Sequence, residues 1–114
     1  MGYRSDVGLV LSATGFSHLL GKGNKLINEC LESADKVEKN ADSGEHLYIW
    51  TYVEWSMNNG GIAQLMIALD SVDNNDYAYV KLGEDSTDIE AQGNLWDNDF
   101  GFGYIRKLQY DNMP

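Results

Sequence analysis

The sequence has few of the residues that cross-link small proteins or bind metals in them. It contains one cysteine, one proline and two histidines in 114 residues. The single Cys30 excludes an internal disulfide framework, and one cysteine with two histidines excludes the common zinc motifs. The only proline is the last residue, so no element is interrupted by one. We predict a fold that its core alone stabilises, with no metal and no cofactor.

Long apolar runs are missing as well. No run approaches the roughly 20 residues that a membrane-spanning helix needs. The opening stretch MGYRSDVGLVLSA carries Arg4 and Asp6 and only a short apolar segment, which does not fit a signal peptide. We expect a cytoplasmic protein without membrane contact, folded as one domain over residues 1–114.

Basic residues are scarce, and the formal net charge is −10. Residues 70–99 hold nine of the eighteen acids and one base, Lys81, so this segment carries −8 of that charge. Direct binding of DNA or RNA needs clustered Lys and Arg, which argues against that function. The acidic balance favours a basic partner, including a nucleic-acid-binding protein whose ligand is imitated.

Hydrophobic periodicity predicts the order β-α-β-α-β-β. Alternating apolar residues predict strands over 3–12, 46–57, 77–83 and 100–110. Apolar spacings of three and four predict helices over 24–39 and 62–72, and Thr14 is a candidate N-cap of a short turn before the first helix. The fold class is therefore α+β: a four-stranded, mainly antiparallel sheet with two helices packed on one face.

The segment 46–57 is the strongest strand signal and is largely apolar on both faces, as in a central strand. Because the two predicted helices cover one side of the sheet, we expect the other face to be exposed. An exposed aromatic face is a place for a partner or for a homodimer contact. The two alternating sets are Tyr48, Trp50 and Tyr52, and Leu47, Ile49, Val53 and Trp55.

The segment 81–105 is rich in carboxylates, which raises the question of a metal site. Calcium-binding loops place oxygen ligands at alternate positions, a glycine at position 6 and a glutamate at position 12. Counted from Asp97, position 6 is Phe102 and position 12 is Leu108. The glycine that makes the turn and the glutamate that completes the calcium ligands are therefore both missing. We predict a solvated acidic loop and no metal.

No arrangement of residues in the sequence predicts catalysis. Glu54 is the only carboxylate with a plausibly dry setting, and a pairing with Arg4 or Arg106 explains it better than acid–base chemistry. His18 and His46 stand near element ends, and Cys30 falls on the apolar stripe of a helix. Nucleophile motifs and phosphate-binding glycine loops are missing. We predict no catalytic residue and no enzyme activity.

Three segments together resemble a pattern in small proteins of tailed bacteriophages and prophages. These segments are MGYRSDVGLVL, YIWTYVEWSM and YVKLGEDSTDIEAQGN. The family commonly has Arg where this chain has Lys81. The resemblance implies a phage origin, and phage accessory proteins of this size and charge often resemble inhibitors of host defence, including anti-CRISPR proteins. It also implies that the acidic stretch has a specific role: Glu84 or Asp85 would pair with Arg4, and Ile89 would dock the loop onto the core.

Our leading hypothesis is a phage-encoded, non-enzymatic inhibitor in the bacterial cytoplasm. It would bind a basic defence protein, such as a CRISPR effector, without contacting nucleic acid directly. The first alternative is a binder or sponge for a nucleotide signal, with an aromatic pocket around Trp50 and Tyr52, and the second is a small enzyme. The predicted contact residues are the carboxylates Glu84, Asp85, Asp88, Glu90, Asp97 and Asp99, with Tyr77, Tyr79 and Trp96 as anchors.

Overall fold

The structure is a computed structural model that describes residues 3–21, 23–85, 87–104 and 108–110. Within these ranges the chain is an α+β protein with an antiparallel sheet, as the periodicity predicts. None of the helices described is long and apolar enough to cross a membrane. The helices are α1 (Ala13–Leu20), α2 (Lys25–Glu32) and α3 (Gly60–Leu69), with a 3-10 turn at Asn74–Asp76. The strands are β1 (Ser5–Leu11), β2 (Lys36–Lys39), β3 (His46–Val53), β4 (Tyr77–Gly83), β5 (Ile89–Gly93), β6 (Gly103–Tyr104) and β7 (Leu108–Gln109).

The main sheet has five strands in the order β2-β3-β1-β4-β5, and β6 and β7 form a separate pair. Every neighbouring pair is antiparallel. The prediction of four strands is wrong for two reasons. The strand predicted over 100–110 contributes only β6 and β7, which lie outside the main sheet, and β2 and β5 are edge strands that the hydrophobic pattern hides. β5 has one large apolar residue, Ile89, in a run of polar and small residues. Its place in the sheet comes from backbone pairing with β4 rather than from burial.

Three helices, not two, are present in the described residues, and each begins at a polar side chain that accepts backbone N–H groups. Ser12 Oγ accepts from Gly15 N–H at 3.0 Å, so Ser12, and not Thr14, is the N-cap of α1. Asn24 caps α2 and Asn59 caps α3 in the same way. Such caps satisfy N–H groups that have no partner within the helix.

The predicted helix over 24–39 ends at Glu32, and its last part is instead the edge strand β2. Ser33 Oγ donates to the Cys30 carbonyl at 2.6 Å and accepts from the Trp50 indole N–H at 3.1 Å, which holds the turn. Beyond it, Val37 pairs with Tyr48 of β3 and is 52% exposed. The helical spacing of Val37 is thus coincidental, since pairing with β3 supplies this segment with backbone hydrogen bonds.

β3 contains an irregularity that reverses the side-chain alternation. Val7 of β1 pairs with Trp50, but Ser5 pairs with Val53, so β3 has an extra residue between these two pairs. Tyr52 lies in this bulge with a left-handed φ of 53°. As a result Val53 and Trp55 join Tyr48 and Trp50 on the helix side, which corrects the predicted division of the strand into two sets.

The helix side of the sheet contains the larger core. Apolar residues from β1, β3 and β4 pack there against all three helices. A run of neighbouring rings crosses this layer, with centroids 3.6–6.4 Å apart from one ring to the next. The rings belong to Phe16, His46, Tyr48, Trp50, Trp55 and Tyr79.

The opposite face of the sheet is covered, which corrects the expectation of an exposed face. The segment that follows β5, here called the strap (residues 94–104 and 108–110), lies across it. Asn98 organises its turn: its amide oxygen accepts from Phe100 and Phe102 N–H, and its amide nitrogen donates to the Leu95 and Phe102 carbonyls. Phe100, Phe102 and Leu108 of the strap bury the second apolar face of the sheet.

The strap docks where the central strand has no side chain. A methyl group on Gly8 would overlap the ring of Phe102, which is 1% exposed. The glycines at 101 and 103 predict close backbone approach or a bulge there, but Gly103 has open space where its Cβ would be, and close backbone neighbours are found instead at Gly15 and Gly93.

We expect Gly8→Ala to lower the free energy of unfolding by about 1–3 kcal/mol, because the added methyl displaces Phe102 from its seat. Urea denaturation measures this change. Combining it with Phe102→Leu should cost less than the sum of the two single changes. Gly103→Ala is the matched control and should be neutral or stabilising by less than about 1 kcal/mol. Equal losses for Gly8→Ala and Gly103→Ala would contradict this account of the strap.

Candidate functional site

The six predicted contact carboxylates do not form one patch. Glu84, Asp85 and Asp88 follow β4, at the end of the sheet where Ser5 pairs with both Val53 and Gly83. Asp97 and Asp99 lie in the strap at the opposite end, where Asp99 N–H donates to Glu45 Oε1 at 2.9 Å. The seven residues of β1 separate the two ends by about 20 Å along the strand direction. A partner that contacts one group therefore need not contact the other.

The first group belongs to a surface that we call the acidic end. Ser5 pairs with both neighbours of β1, so the residues before it lie between the ends of β3 and β4. Those two strand ends are about 10 Å apart, since neighbouring strands are about 4.8 Å apart. The acidic end consists of the carboxylates Asp6, Glu84, Asp85 and Asp88 and the side chains of Tyr3, Arg4 and Tyr52.

Tyr3 holds the acidic turn to the sheet. Its hydroxyl accepts from Asp85 N–H at 2.9 Å. The same hydroxyl and the Asp88 carboxylate occupy the space where a Cβ on Gly83 would lie. The predicted anchor was Arg4, but none of the ion pairs within 4.0 Å among the described residues involves Arg4. Ile89 is 40% exposed and does not dock the loop onto the core.

Asp85 acts inside the turn. Its Oδ1 accepts from Thr87 N–H at 2.9 Å and from the Thr87 hydroxyl at 2.8 Å. These two donors favour the charged form and lower the pKa of the Asp85 carboxyl below its ordinary value of 3.8. Glu84 is exposed and has no hydrogen bond among the described side chains. Of the acids in this turn, Glu84 is thus the one free to contact a partner.

The bulge of β3 presents Tyr52 at the acidic end. Tyr52 N–H donates to Asp6 Oδ1 at 2.8 Å, and Thr51 N–H donates to Asp35 Oδ2 at 2.7 Å, so two aspartates hold the bulge. The ring is 68% exposed, and the Arg4 guanidinium lies 5.8 Å from its centroid. A left-handed backbone costs a residue with a bulky side chain about 1–2 kcal/mol. This energetic cost therefore falls at a residue whose large aromatic side chain is exposed to solvent.

The remaining predicted contact residues have other roles or places. Glu90 pairs with Lys81 across β4 and β5 at 3.6 Å. Trp96 is half-buried on the strap, where its indole donates to the Gly93 carbonyl at 3.2 Å. Tyr77 and Tyr79 are 4% and 1% exposed, so they are core residues on the helix side and cannot serve as surface anchors in this structure.

The geometry offers little for catalysis or metal binding. Within the described residues no group of three or more His, Cys, Asp or Glu side chains is arranged to hold a metal ion. Glu54 is exposed, which corrects the expectation of a dry setting. His46 stacks on Phe16 with ring centroids 3.6 Å apart, and burial lowers its pKa below 6.5. A neutral, stacked imidazole of this kind is a core residue.

A cavity of about 470 Å³ opens on the helix side, between α2, the start of α3 and the end of β3. Trp50, Trp55 and Cys30 form part of its wall, and Glu29 and Glu54 are its charged residues. Tyr52, which the sequence places with Trp50, is on the other side of the bulge and does not line it. Sequence reasoning missed this cavity because it joins residues from three separate segments.

The acidic end was also missed as a unit. Tyr3 and Asp6 are 46 or more residues from Tyr52 in the sequence, and only pairing in the sheet brings them to Glu84. The available signal was the segment YRSD at the start of β1, which the resemblance to phage proteins marks without giving a role.

The fold and this site define a small antiparallel α+β protein with an acidic, tyrosine-bearing end. No protein-family model matches the chain, and no curated protein or solved structure matches it significantly. The resemblance to phage proteins thus stays a prediction, and function has to be argued from the geometry.

We expect Asp85 to contribute to stability in a pH-dependent way. Because its folded pKa is depressed, the contribution is present above the ordinary value of 3.8 and is lost as the pH falls through the lower folded value. The thermal midpoint of the protein and of Asp85→Asn, measured from about pH 6 to about pH 2.5, should converge at the acid end. Asp97→Asn controls for the loss of one negative charge. A difference in thermal midpoint between the protein and Asp85→Asn that stays constant over this pH range would contradict the stabilising role of the Asp85 carboxylate.

We expect Cys30 to be unreactive in the folded protein. Burial raises the pKa of its thiol to about 11, and the side chain is 8% exposed. Relative to the ordinary value of 9.0, the thiolate fraction near neutral pH falls by about 100-fold. Titration with a thiol-specific disulfide reagent should be slow in buffer and rapid in denaturant. Fast labelling of the folded chain would show that the cavity admits the reagent to an activated thiol.

Proposed function

We propose that this chain is a non-enzymatic inhibitor that binds a basic, nucleic-acid-handling protein through its acidic end. The target class is a bacterial defence protein such as a CRISPR effector, in the bacterial cytoplasm, and the chain would be phage-encoded. The defence target and the phage origin rest on the resemblance of the MGYRSDV and GEDSTDIE segments to phage proteins. The binding mode rests on the geometry of the acidic end.

The observation that carries the proposal is the exposed Tyr52 on a strained bulge beside a group of carboxylates. Strained backbone persists where the surrounding structure holds it, and such positions cluster at functional sites. Here Asp6 and Asp35 accept the N–H groups of the bulge. Tyrosine is among the residues that contribute most to binding energy in protein interfaces.

Charge supports a basic partner. Among the described residues of the acidic end, the carboxylates Asp6, Glu84, Asp85 and Asp88 outnumber one cation, Arg4, which lies over the Tyr52 ring. Opposite charge across an interface raises the association rate and selects the partner. Tyr3 and Tyr52 supply apolar area between the carboxylates. A surface of this composition is complementary to the basic, phosphate-binding surface of another protein. It is not complementary to a nucleic acid, whose backbone is negatively charged.

The nucleotide-binding alternative finds less support. The cavity beside Trp50 contains Glu29 and Glu54 and no Lys or Arg among its described lining residues. Carboxylates at a cavity mouth repel phosphate. Arg106 and Lys107 lie outside the described residues.

We expect Glu84→Lys and Tyr52→Asn each to weaken partner binding without unfolding the chain. Glu84 is exposed and has no side-chain hydrogen bond to another described residue, and Asn tolerates the left-handed backbone that Tyr52 adopts. The matched control is Asp97→Lys, which makes the same charge change at the opposite end of the sheet. Tagged chains would be used to capture proteins from a nuclease-treated bacterial lysate at low and high salt, with mass spectrometry of what is retained and a thermal melt of each variant.

Support would be a nucleic-acid-handling protein that the parent chain and Asp97→Lys retain, that high salt releases, and that Glu84→Lys and Tyr52→Asn lose. If only Asp97→Lys lost the retained protein, the contact would lie on the strap and not at the acidic end. No retained protein at any salt would overturn the proposal. The defence target is tested separately, by expressing the chain in a bacterium whose CRISPR system blocks a phage: plaques should return with the parent chain and not with Glu84→Lys.

A further inference from the structure

The cavity between α2, α3 and β3 is lined by two tryptophan rings and by two exposed carboxylates. The rings of Trp50 and Trp55 meet there with centroids 4.9 Å apart and planes tilted by 57°. Trp50 is buried and its indole N–H already donates to Ser33 Oγ. Trp55 is only half-buried, so of the two lining rings it is the more open to the cavity.

The charge of the cavity has one sign. Glu29 and Glu54 both line it and are both exposed, and no described lining residue is basic. Glu29 has a cation within reach, but Lys25 is 3.9 Å away and almost fully exposed, so that pair holds the carboxylate weakly. Glu54 has no basic side chain within 4.0 Å among the described residues. Both carboxylates are thus free to face a cation.

The start of α3 also borders the cavity, and a helix N-terminus ordinarily favours anions. Here two of the backbone N–H groups that would bind an anion already donate to the cap residue. Asn59 Oδ1 accepts from Gly61 N–H at 2.9 Å and from Ile62 N–H at 3.2 Å. An anion would have to displace this cap and then lie beside two carboxylates. The electrostatic balance therefore favours a cation.

We propose that this cavity binds a small organic cation, an alkylammonium or guanidinium group with an apolar body. The cation lies against the Trp55 ring, where the face of an indole attracts positive charge, and Glu29 and Glu54 neutralise it. The apolar part fills the space beside Leu26 and Ile62. A volume of about 470 Å³ is within the range of small-molecule sites, about 300–1,000 Å³. This site is separate from the acidic end, and its test does not depend on the proposed inhibition.

The test uses the three tryptophans as reporters. Each indole N–H gives its own signal in a proton–nitrogen correlation spectrum, and Trp96 lies on the other face of the sheet as an internal control. The probes are choline and its neutral isostere 3,3-dimethylbutan-1-ol, which differ in charge and little in shape. Agmatine and an arginine tripeptide, as further arms, distinguish a free small molecule from a partner's side chain.

We expect saturable shifts of the Trp50 and Trp55 signals with choline or agmatine and no shift of Trp96. The neutral isostere should bind at least about fivefold more weakly, in keeping with a partly exposed cation–π contact. Glu54→Gln should weaken cation binding by about threefold, while Asp97→Asn, an equal charge change far from the cavity, should leave it unchanged. Trp55→Phe keeps an apolar ring and should weaken binding of the cation more than that of the isostere.

Three outcomes would overturn the proposal. One is the absence of a saturable shift with any of the cations. Another is equal binding of choline and its isostere, which would make the cavity merely apolar. The last is a shift with inorganic phosphate that exceeds the shift with choline, which would return the site to the α3 N-terminus and to an anionic ligand.

Discussion

The seat of Phe102 against Gly8 is the contact on which the rest of the structure depends. Gly8 is in the middle of the central strand, and the ring that fills its missing side chain belongs to the strap at the other end of the chain. This contact brings Phe100 and Leu108 over the second face of the sheet, where Val10, Ile49 and Val80 would otherwise meet water. With both faces covered, the backbone of the sheet is open to solvent only at its ends and edges.

The same central strand carries the acidic end. Asp6 lies in β1, and Tyr3 lies two residues before it. The Tyr3 hydroxyl accepts a hydrogen bond from the turn after β4, and the Asp6 carboxylate accepts one from the bulge of β3. One strand therefore fixes the distance between the Glu84 turn and the Tyr52 ring. For the partner binding that we propose, this positioning would lower the entropy that is lost, because the groups that make the contact are already ordered.

Local patterns were enough for the elements that bury their own apolar face. β1, β3 and β4 alternate clearly, and α3 has the helical spacing, so the α+β class with an antiparallel sheet was predictable. β2 was hidden because Val37 continues the spacing of α2, and β5 because only Ile89 in it is large and apolar. The bulge at Tyr52 and the strap over Gly8 arise from pairing between distant segments. Periodicity carries no information on such pairing, which is why the buried Tyr77 and Tyr79 were placed at the surface.

The position of β1 in the sheet has a consequence for synthesis of the chain. Both of its partners come later, β3 some 35 residues on and β4 about 70 residues on. At about 5–20 residues per second, β1 waits roughly 4–14 s on the ribosome before β4 has been made. During that time its apolar run, Val7 to Leu11, has no complete sheet to join. The main sheet is thus completed only after β4 and β5 have been made, and until then the nascent chain is more open to misassembly and to chaperones than the folded protein.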